Sequence, residues 1–288
     1  MGGDETAARA VTGEQLRPLM LSIAYRMVGS YSEAEDLVQE AFLRLHEADD
    51  VESPKAWLTT VTTRLAIDHL RSARVRREQY PGNWLPEPIV ADPAPEAVVR
   101  AESLSLAVLV LLESLTPVER AVFVLREAFD YGYDEIAEIV GKSEANCRQL
   151  AARARRHVDE RRSRFEPSRE QRDELVRRFV AALQEGETGA LVELLAADVE
   201  FYGDGGGKAP AVRHMAGAEA VARMLDRFMP IAARRGTTTE VAEFNGETGL
   251  AAYEGGELVA LWAFEISDGA VHAIRGVVNP DKLRHVAG

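Results

Sequence analysis

The 288-residue chain holds one cysteine, Cys147, which excludes an internal disulfide framework. Helical spacing puts that residue on a buried face, where a thiol behaves as a small hydrophobe. Long apolar runs are missing as well. None reaches the roughly 20 residues that a membrane-spanning helix needs, and no basic-then-apolar leader opens the chain, so a soluble, cytoplasmic protein is expected. Positive charge is short on balance, with 34 Lys and Arg against 47 Asp and Glu and a net charge of -13. A nucleic-acid binder ordinarily shows the reverse. Proline is concentrated: five of the twelve fall between Tyr80 and Pro95, in YPGNWLPEPIVADPAP.

The average charge conceals a sorting by position. Residues 64–77 carry Arg64, Arg71, Arg74, Arg76 and Arg77 against Asp68 alone. Residues 142–164 carry eight Lys or Arg against three acids, whereas residues 33–52 carry eight acids against Arg44. Two basic faces and one acidic face predict a polyanionic partner and a basic one.

The stretch Tyr133–Arg156 reads as a helix-turn-helix. Ile136, Ala137 and Val140 give its first helix a narrow apolar face, Gly141 suits a left-handed stop, and Ser143 can cap the second helix. Cys147, Leu150, Ala151, Ala154 and Val158 then recur at i, i+3, i+4, i+7 and i+11 and should face a core. The opposite face presents Ala145, Arg148, Gln149, Ala152, Arg153 and Arg156, groups that a major groove accepts.

Upstream, the first ten or so residues are expected to be disordered. From Thr12 the stripe Leu16, Leu19, Met20, Ile23, Ala24, Met27 predicts a first helix. A Ser32-x-x-Glu35 box opens a second helix, apolar at Ala34, Leu37, Val38, Ala41, Phe42 and Leu45, with Glu33, Asp36, Gln39 and Glu40 on its other face. After the polar loop His46–Glu52, Ser53-Pro54 starts a third helix. Leu58, Val61, Leu65, Ala66 and Leu70 should bury one side of it, leaving Thr60, Thr63, Arg64, Ile67, Arg71 and Arg74 on an exposed stripe.

The proline-rich segment reads as a semi-extended linker in which Trp84 and Leu85 call for burial. Helices resume over Ala97–Leu115, and Thr116-Pro117-Val118-Glu119 combines a capping box with proline at the first helical position. Past Phe165, helices around Leu175–Leu183 and Leu191–Leu195 lead to a strand at Val199–Tyr202, the loop Asp204–Lys208 and a helix at Ala218–Phe228. Three hairpin dipeptides follow, Asn245-Gly246, Gly255-Gly256 and Asp268-Gly269. Leu258, Ala260, Trp262, Phe264 and Ile266 alternate strictly, which buries one sheet face. A four-stranded antiparallel meander backed by helices, an α+β domain over 168–284, is predicted. DGGGK lacks the spacing of a phosphate loop; its small residues suit close backbone contact with the linker or the preceding helices. No catalytic residue, metal-ligand set or cofactor is assigned.

SYSEAEDLVQEAFLRL, PKAWLTTVTTRLAIDHLRS and LTPVERAVFVLREAFDYGYDEIAEIVGKSEANCRQLAARARR, in this order, resemble the core-binding, promoter-melting and minus-thirty-five-recognising segments of extracytoplasmic-function sigma factors of bacterial RNA polymerase. YPGNWLPEP, DGGGK and NPDKL resemble the SigJ-like subgroup, which carries a fused SnoaL-like domain of the NTF2-like cone fold. The resemblance implies an all-α sigma-2 domain over 1–79, a linker over 80–96, an all-α sigma-4 domain over 97–164, and a regulatory α+β domain in place of a separate anti-sigma factor. It implies core RNA polymerase, through the β′ clamp helices and the β flap, and promoter DNA as partners.

By the same resemblance Glu33, Asp36, Gln39 and Glu40 meet the polymerase. The loop His46–Glu52 with Thr60, Thr63 and Arg64 captures an extruded minus-ten base, and Arg71, Arg74, Arg76 and Arg77 meet phosphates. Arg148, Gln149 and Arg153 are the groove candidates; Lys142, Arg155 and Arg156 position the helix on the backbone. Trp84, Leu85, Asp204, Gly205, Gly206, Gly207, Lys208, Asn279, Pro280, Asp281, Lys282 and Leu283 form an interdomain set. Two other functions stay open: an operator-binding regulator that uses only the helix-turn-helix, and a SnoaL-type isomerase or cyclase with a DNA-binding appendage. For the last, Tyr202, Asp204, His214, Trp262 and His272 are the polar candidates, and a small ligand in the C-terminal domain is allowed.

Overall fold

The computed structural model describes residues 2–90, 105–160 and 168–286, with side chains from residue 15 onward except those of 74–78. The chain forms two compact units, Met1–Glu78 with Asp92–Arg161, and Gln79–Ala91 with Arg162–Gly288.

The first unit is all-α. Helices α1 (Gly2–Val28), α2 (Tyr31–Glu47) and α3 (Pro54–Glu78) pack on one another. Helix α1 begins at Gly2, well ahead of the expected Thr12 start, so the anticipated disorder of the first residues is not what the structure shows. Asp4–Ala10 is rich in Ala and contains no proline, a composition that permits the helix to continue toward the N-terminus. From Leu19 to Val28 every residue is buried, including Arg26, so the one-sided stripe read from the sequence understates the cover. The additional cover comes from the second helical set, which packs on α1. The cap of α2 is Ser30, whose hydroxyl accepts from Glu33 N at 3.2 Å; Ser32 lies inside the helix instead of opening it. Ser53 and Pro54 start α3 as expected.

That second set comprises α4 (Leu106–Leu112), α5 (Pro117–Phe123), a π-helical turn over Val124–Ala128, α6 (Tyr133–Val140) and α7 (Glu144–Asp159). The helix anticipated from Ala97 is seen from Leu106; its earlier part lies outside the described residues. The Thr116 capping box is complete, with the Glu119 carboxylate accepting from Thr116 N at 3.1 Å and Thr116 Oγ1 accepting from Glu119 N at 3.3 Å. Between α6 and α7, Gly141 takes φ +65° and Ser143 caps α7. Cys147, Ala151, Ala154 and Val158 are buried, as the spacing predicts, while Leu150 is half-buried. On α6 the buried pair is Ile136 and Ile139, not the narrower face Ile136, Ala137 and Val140.

The second unit is α+β. Helices α8 (Arg169–Glu185) and α9 (Thr188–Leu194) precede β1 (Leu195–Asp204) and β2 (His214–Ala216), and α10 (Ala218–Arg234) follows. The meander is β3 (Thr238–Phe244), β4 (Glu247–Glu254), β5 (Glu257–Ser267) and β6 (Ala270–Val277). The sheet has six strands in the order β2-β1-β6-β5-β4-β3, with β1 parallel to β6 and the other pairs antiparallel. Both residues of each hairpin dipeptide have positive φ, the geometry that Asn-Gly, Gly-Gly and Asp-Gly tolerate.

Ala260, Trp262, Phe264 and Ile266 belong to the core shared with α8, α9 and α10, where Phe179 meets Phe264 edge-on at 5.0 Å between centroids. Leu261 and Ala263, of the opposite parity, are buried too, so both faces of the sheet centre are covered. Residues 79–90, the expected spacer, run extended along this unit as a strap. A short helix, α11 (Pro280–Leu283), ends the fold.

Candidate nucleic-acid and polymerase interface

Asp36, Gln39 and Glu40 lie exposed along α2, and Glu40 pairs with Arg44 one turn on at 2.8 Å. Glu33 is half-buried, its carboxylate 3.0 Å from His69 Nε2 on α3. The face therefore keeps the Asp36 and Glu40 carboxylates exposed near its middle. The expected loop His46–Glu52 begins only at Ala48, because α2 runs to Glu47; the stretch is mostly exposed, with Asp50 in the left-handed region at φ +50°.

The expected DNA stripe on α3 requires correction. Thr63 and Ile67 are buried, not exposed, and Thr60 is half-buried with its hydroxyl donating to Ala56 O at 2.9 Å. Arg64 donates through Nε to Ile139 O at 2.8 Å and through its Nη2 to Glu138 O at 2.9 Å. These are the last carbonyls of α6, which a helix leaves unsatisfied and where its dipole favours a cation. Thr59 and the Tyr131 hydroxyl lie 3.0 Å apart, and Arg120 Nε donates to Arg26 O at 3.1 Å. The Arg26 guanidinium sits 5.5 Å from the centre of the Phe129 ring.

Of the stripe that periodicity assigned to DNA, Thr63 and Ile67 are thus buried and Arg64 is engaged by α6, while Arg64 and Arg71 stay exposed. Thr62 and Thr63 keep buried hydroxyls with no hydrogen-bond partner among the described residues, which costs stability. Replacing Tyr131 with Phe leaves the Thr59 hydroxyl unpaired and should lower stability by about 1 kcal/mol in urea unfolding. The pair Thr59→Val with Tyr131→Phe should recover most of it.

Arg71 is exposed beside Asp68 at 2.8 Å; the side chains of Arg74, Arg76 and Arg77 lie outside the described residues. Lys142, in the turn before α7, and Arg148, Gln149, Arg153, Arg155 and Arg156, on α7, are all exposed. Arg153 reaches Glu119 at 3.3 Å, Arg155 pairs with Glu127 and Arg148 with Glu144. The Arg148 guanidinium also lies 5.4 Å from the Tyr133 ring centre. Lys142 and Gln149 carry no such partner among the described residues. Burial and Glu144 raise the Cys147 thiol pKa above its usual range, which leaves it unreactive.

In the second unit the interdomain set converges on Asp204, a fully buried carboxylate with four donors. Its Oδ1 accepts from the Tyr80 hydroxyl at 2.6 Å and Gly206 N at 3.0 Å; its Oδ2 accepts from Leu85 N at 2.8 Å and Lys282 Nζ at 2.7 Å. Lys282 Nζ also donates to Leu85 O and lies 4.3 Å from the Trp84 ring centre. Burial, then the bond to Asp204, pushes the Tyr80 pKa well above its ordinary value and keeps the phenol a donor. Asn279 caps α11 through Asp281 N and donates to the Tyr80 hydroxyl. Lys208 pairs with Asp281, whose carboxyl that bond holds below the usual range, so the glycine loop is tied to α11. A Cβ on Gly207, at φ +71°, would lie 2.8 Å from Pro81 of the strap. Leu85 and Leu283 are buried as plugs, and Pro280 takes the first position of α11.

The strap has a second anchor that sequence reasoning missed. Ile89 N donates to Asn245 Oδ1 at 3.0 Å and Asn245 N donates to Ile89 O at 2.7 Å. Asn245 had been legible only as a turn residue, because its pairing partner lies 156 positions away.

Comparison with known proteins fits this arrangement. The Sigma-70 region 2 pattern matches residues 14–76 and the Sigma-70 region 4 pattern matches residues 105–158. The extracytoplasmic-function RNA polymerase sigma factor SigJ of Mycobacterium tuberculosis (strain ATCC 25618 / H37Rv) is 42% identical over 94% of this chain and 91% of its own. The chain belongs to the extracytoplasmic-function RNA polymerase sigma factors. A probable member of that family, SigI of M. tuberculosis (strain CDC 1551 / Oshkosh), is 34% identical over 93% of this sigma factor and 92% of its own length. The crystal structure of M. tuberculosis SigJ superposes with a TM-score of 0.76 at 37% identity, covering 96% of this sigma factor and 98% of that chain.

Of the polar groups weighed for catalysis, Trp262 alone lines the cavity of the α+β domain. Tyr202 donates to Glu200 at 2.6 Å, His214 lies 3.1 Å from the same carboxylate, and Asp204 is committed to the strap. The bonds from Tyr202 and His214 hold the Glu200 carboxyl below its usual range. His272 stands 3.8 Å from Asp198. Glu265 pairs with Arg275 at 2.8 Å, on the sheet face opposite the apolar row, as its parity predicts. No described helix is long and apolar enough to cross a membrane.

Proposed function

We propose that this sigma factor directs core RNA polymerase to its promoters through the acidic face of α2 and two basic surfaces, and that its C-terminal domain regulates it by gripping the linker. Asp36 and Glu40 dock on a basic surface of the polymerase, with Gln39 between them and Glu33 braced by His69. Arg148, Gln149 and Arg153 enter the groove of the minus-thirty-five element, while Lys142, Arg155, Arg156 and Arg71 meet phosphates. The side chains of Arg74, Arg76 and Arg77, outside the described residues, are assigned to phosphates by the resemblance alone.

The observation that carries the regulatory half is the Asp204 carboxylate, whose four acceptor positions are used and two of whose donors belong to the strap. A segment so held cannot act as a free tether, so the fused domain limits the spacing that two promoter-contacting domains can adopt. The closed packing of α3 under α6 supports a resting state, since Arg64 must leave the α6 carbonyls before it can face a base.

The test is run-off transcription on fragmented genomic DNA with core polymerase plus the full-length protein. Discrete transcripts that require the protein are expected, and more of them, or altered spacing preference, when the Asp204 grip is weakened. Transcripts indistinguishable from core enzyme alone would end this reading.

A further inference from the structure

The α+β domain encloses a cavity of about 390 Å³ that the sigma-factor role leaves without a use. Its walls are apolar: Phe201, Ala260 and Trp262 from the sheet, Met224 and Phe228 from α10. The charged lining residues Arg235 and Glu257 are exposed and therefore stand at its solvent edge, together with Glu254, which is engaged by Thr237 at 2.8 Å. One cation against two carboxylates gives no preference for an anion. No histidine or aspartate lines it, so it is equipped to hold a molecule rather than to move protons.

Trp262 supplies the polar feature. It is 7% exposed, yet its indole N–H has no acceptor among the described residues. The nitrogen keeps accessible surface, and a molecule in the cavity can supply the acceptor. The pyrrole edge sits over Gly276, where an added Cβ would fall 3.1 Å from Cδ1 and Nε1. The glycine therefore makes room for this indole position, and Gly276 itself lines the cavity.

The cavity and the strap's anchor share their backbone. Along β1 successive side chains alternate: Phe201 and Gly203 line the cavity, while Asp204 grips Tyr80 and Leu85. After β6, Val278, Pro280 and Leu283 line it, while the intervening Asn279 and Lys282 hold the strap. Val278 N donates to Asp204 O at 2.8 Å and ties the two segments together.

We propose that this cavity binds a compact, uncharged, largely hydrocarbon molecule bearing one hydrogen-bond acceptor for the Trp262 indole, and that its occupancy tightens the strap. The inference builds on the strap as the regulatory element. A ligand shifts an equilibrium only through contacts that differ between its two states. Here the differing contacts are Pro280 and Leu283, which form cavity wall while Lys282 is held by Asp204 and Leu85 and lose that position when the strap leaves.

The experiment uses the full-length protein and two probes of matched shape, 2-acetylnaphthalene and 2-ethylnaphthalene, titrated calorimetrically. The acetyl probe should bind at least fivefold more tightly, the worth of about one hydrogen bond. Trp262→Phe, with its circular dichroism unchanged, should erase that preference. Should this variant fail to fold, the wild-type pair of titrations decides the ligand class. Hydrogen exchange of the amides of residues 82–90 should slow at least threefold with the acetyl probe bound. Absence of saturable binding by either probe, or equal affinity for both, overturns the site. Binding with unchanged exchange overturns the coupling. Failure of promoter-directed transcription by the unmodified protein would instead remove the sigma reading and leave these titrations untouched.

Discussion

Replacing Asp36 and Glu40 together by Lys should reduce capture of core RNA polymerase at least a hundredfold, about 3 kcal/mol, while the fold persists. Both side chains are exposed, so the substitution takes nothing out of the interior. Glu40 gives up only a surface pair with Arg44, worth a fraction of 1 kcal/mol. The loss therefore arises wholly at the docking surface, where two attractions become two repulsions. The measurement is a pull-down or surface-binding titration with core enzyme, accompanied by thermal unfolding of the free protein. Unchanged capture would remove the acidic face from the interface, whatever the fate of the rest of the assignment.

The second large effect is expected at Asp204. Its replacement by Ala takes the carboxylate from the Lys282 ammonium, whose side chain is 6% exposed and which also meets the Leu85 carbonyl and the Tyr80 and Trp84 rings. Breaking one partner of a buried ion pair costs about 3–5 kcal/mol. Lys282→Met in the same background removes the buried charge and should return much of that loss, because apolar replacement of both partners is often close to neutral. Urea unfolding of the single and double variants measures both values. Hydrogen exchange across residues 79–90 then separates the consequences. The strap should be released in Asp204→Ala, and in the double variant it should remain loose even where global stability has recovered, since Tyr80 and Leu85 N still lack their acceptor. If both variants kept wild-type stability and exchange, the anchor would be no anchor.

How much of this was legible in the sequence follows from the range of the interactions. Helix caps and tight turns are local, so Ser53-Pro54, the Thr116 box, Gly141-Ser143 and the three hairpin dipeptides could be read in place. The buried face of α7 was equally plain, because one periodic stripe meets one neighbour. The α3 stripe misled for the opposite reason. That helix is covered on two sides, by α1 and α2 and again by α5 and α6, and threonine is small and polar enough to sit on either a wet or a dry face. Nothing local distinguishes Thr63 buried from Thr63 exposed. The same holds for Leu261 and Ala263: the sheet's alternation marks one covered face and is silent about the other. Asp204, Asn279 and Lys282 were singled out by motif resemblance, but three of the four donors to Asp204 lie 78 to 124 positions from it and no spacing rule contains them. Tyr80 and Asn245 went unassigned for the same reason.

The strap has a consequence for how such proteins can be cut and recombined. Residues 79–90 belong physically to the C-terminal unit although they are encoded between two helical segments. Deleting everything after residue 165 therefore leaves Leu85 and Ile89 without their seat, and expressing the C-terminal segment alone leaves Asp204 and Lys282 facing water. A chimaera that grafts the fused domain onto another sigma factor must carry the linker with it as a matched pair. Conversely, a synthetic peptide of residues 79–90 should complement the isolated C-terminal segment in trans.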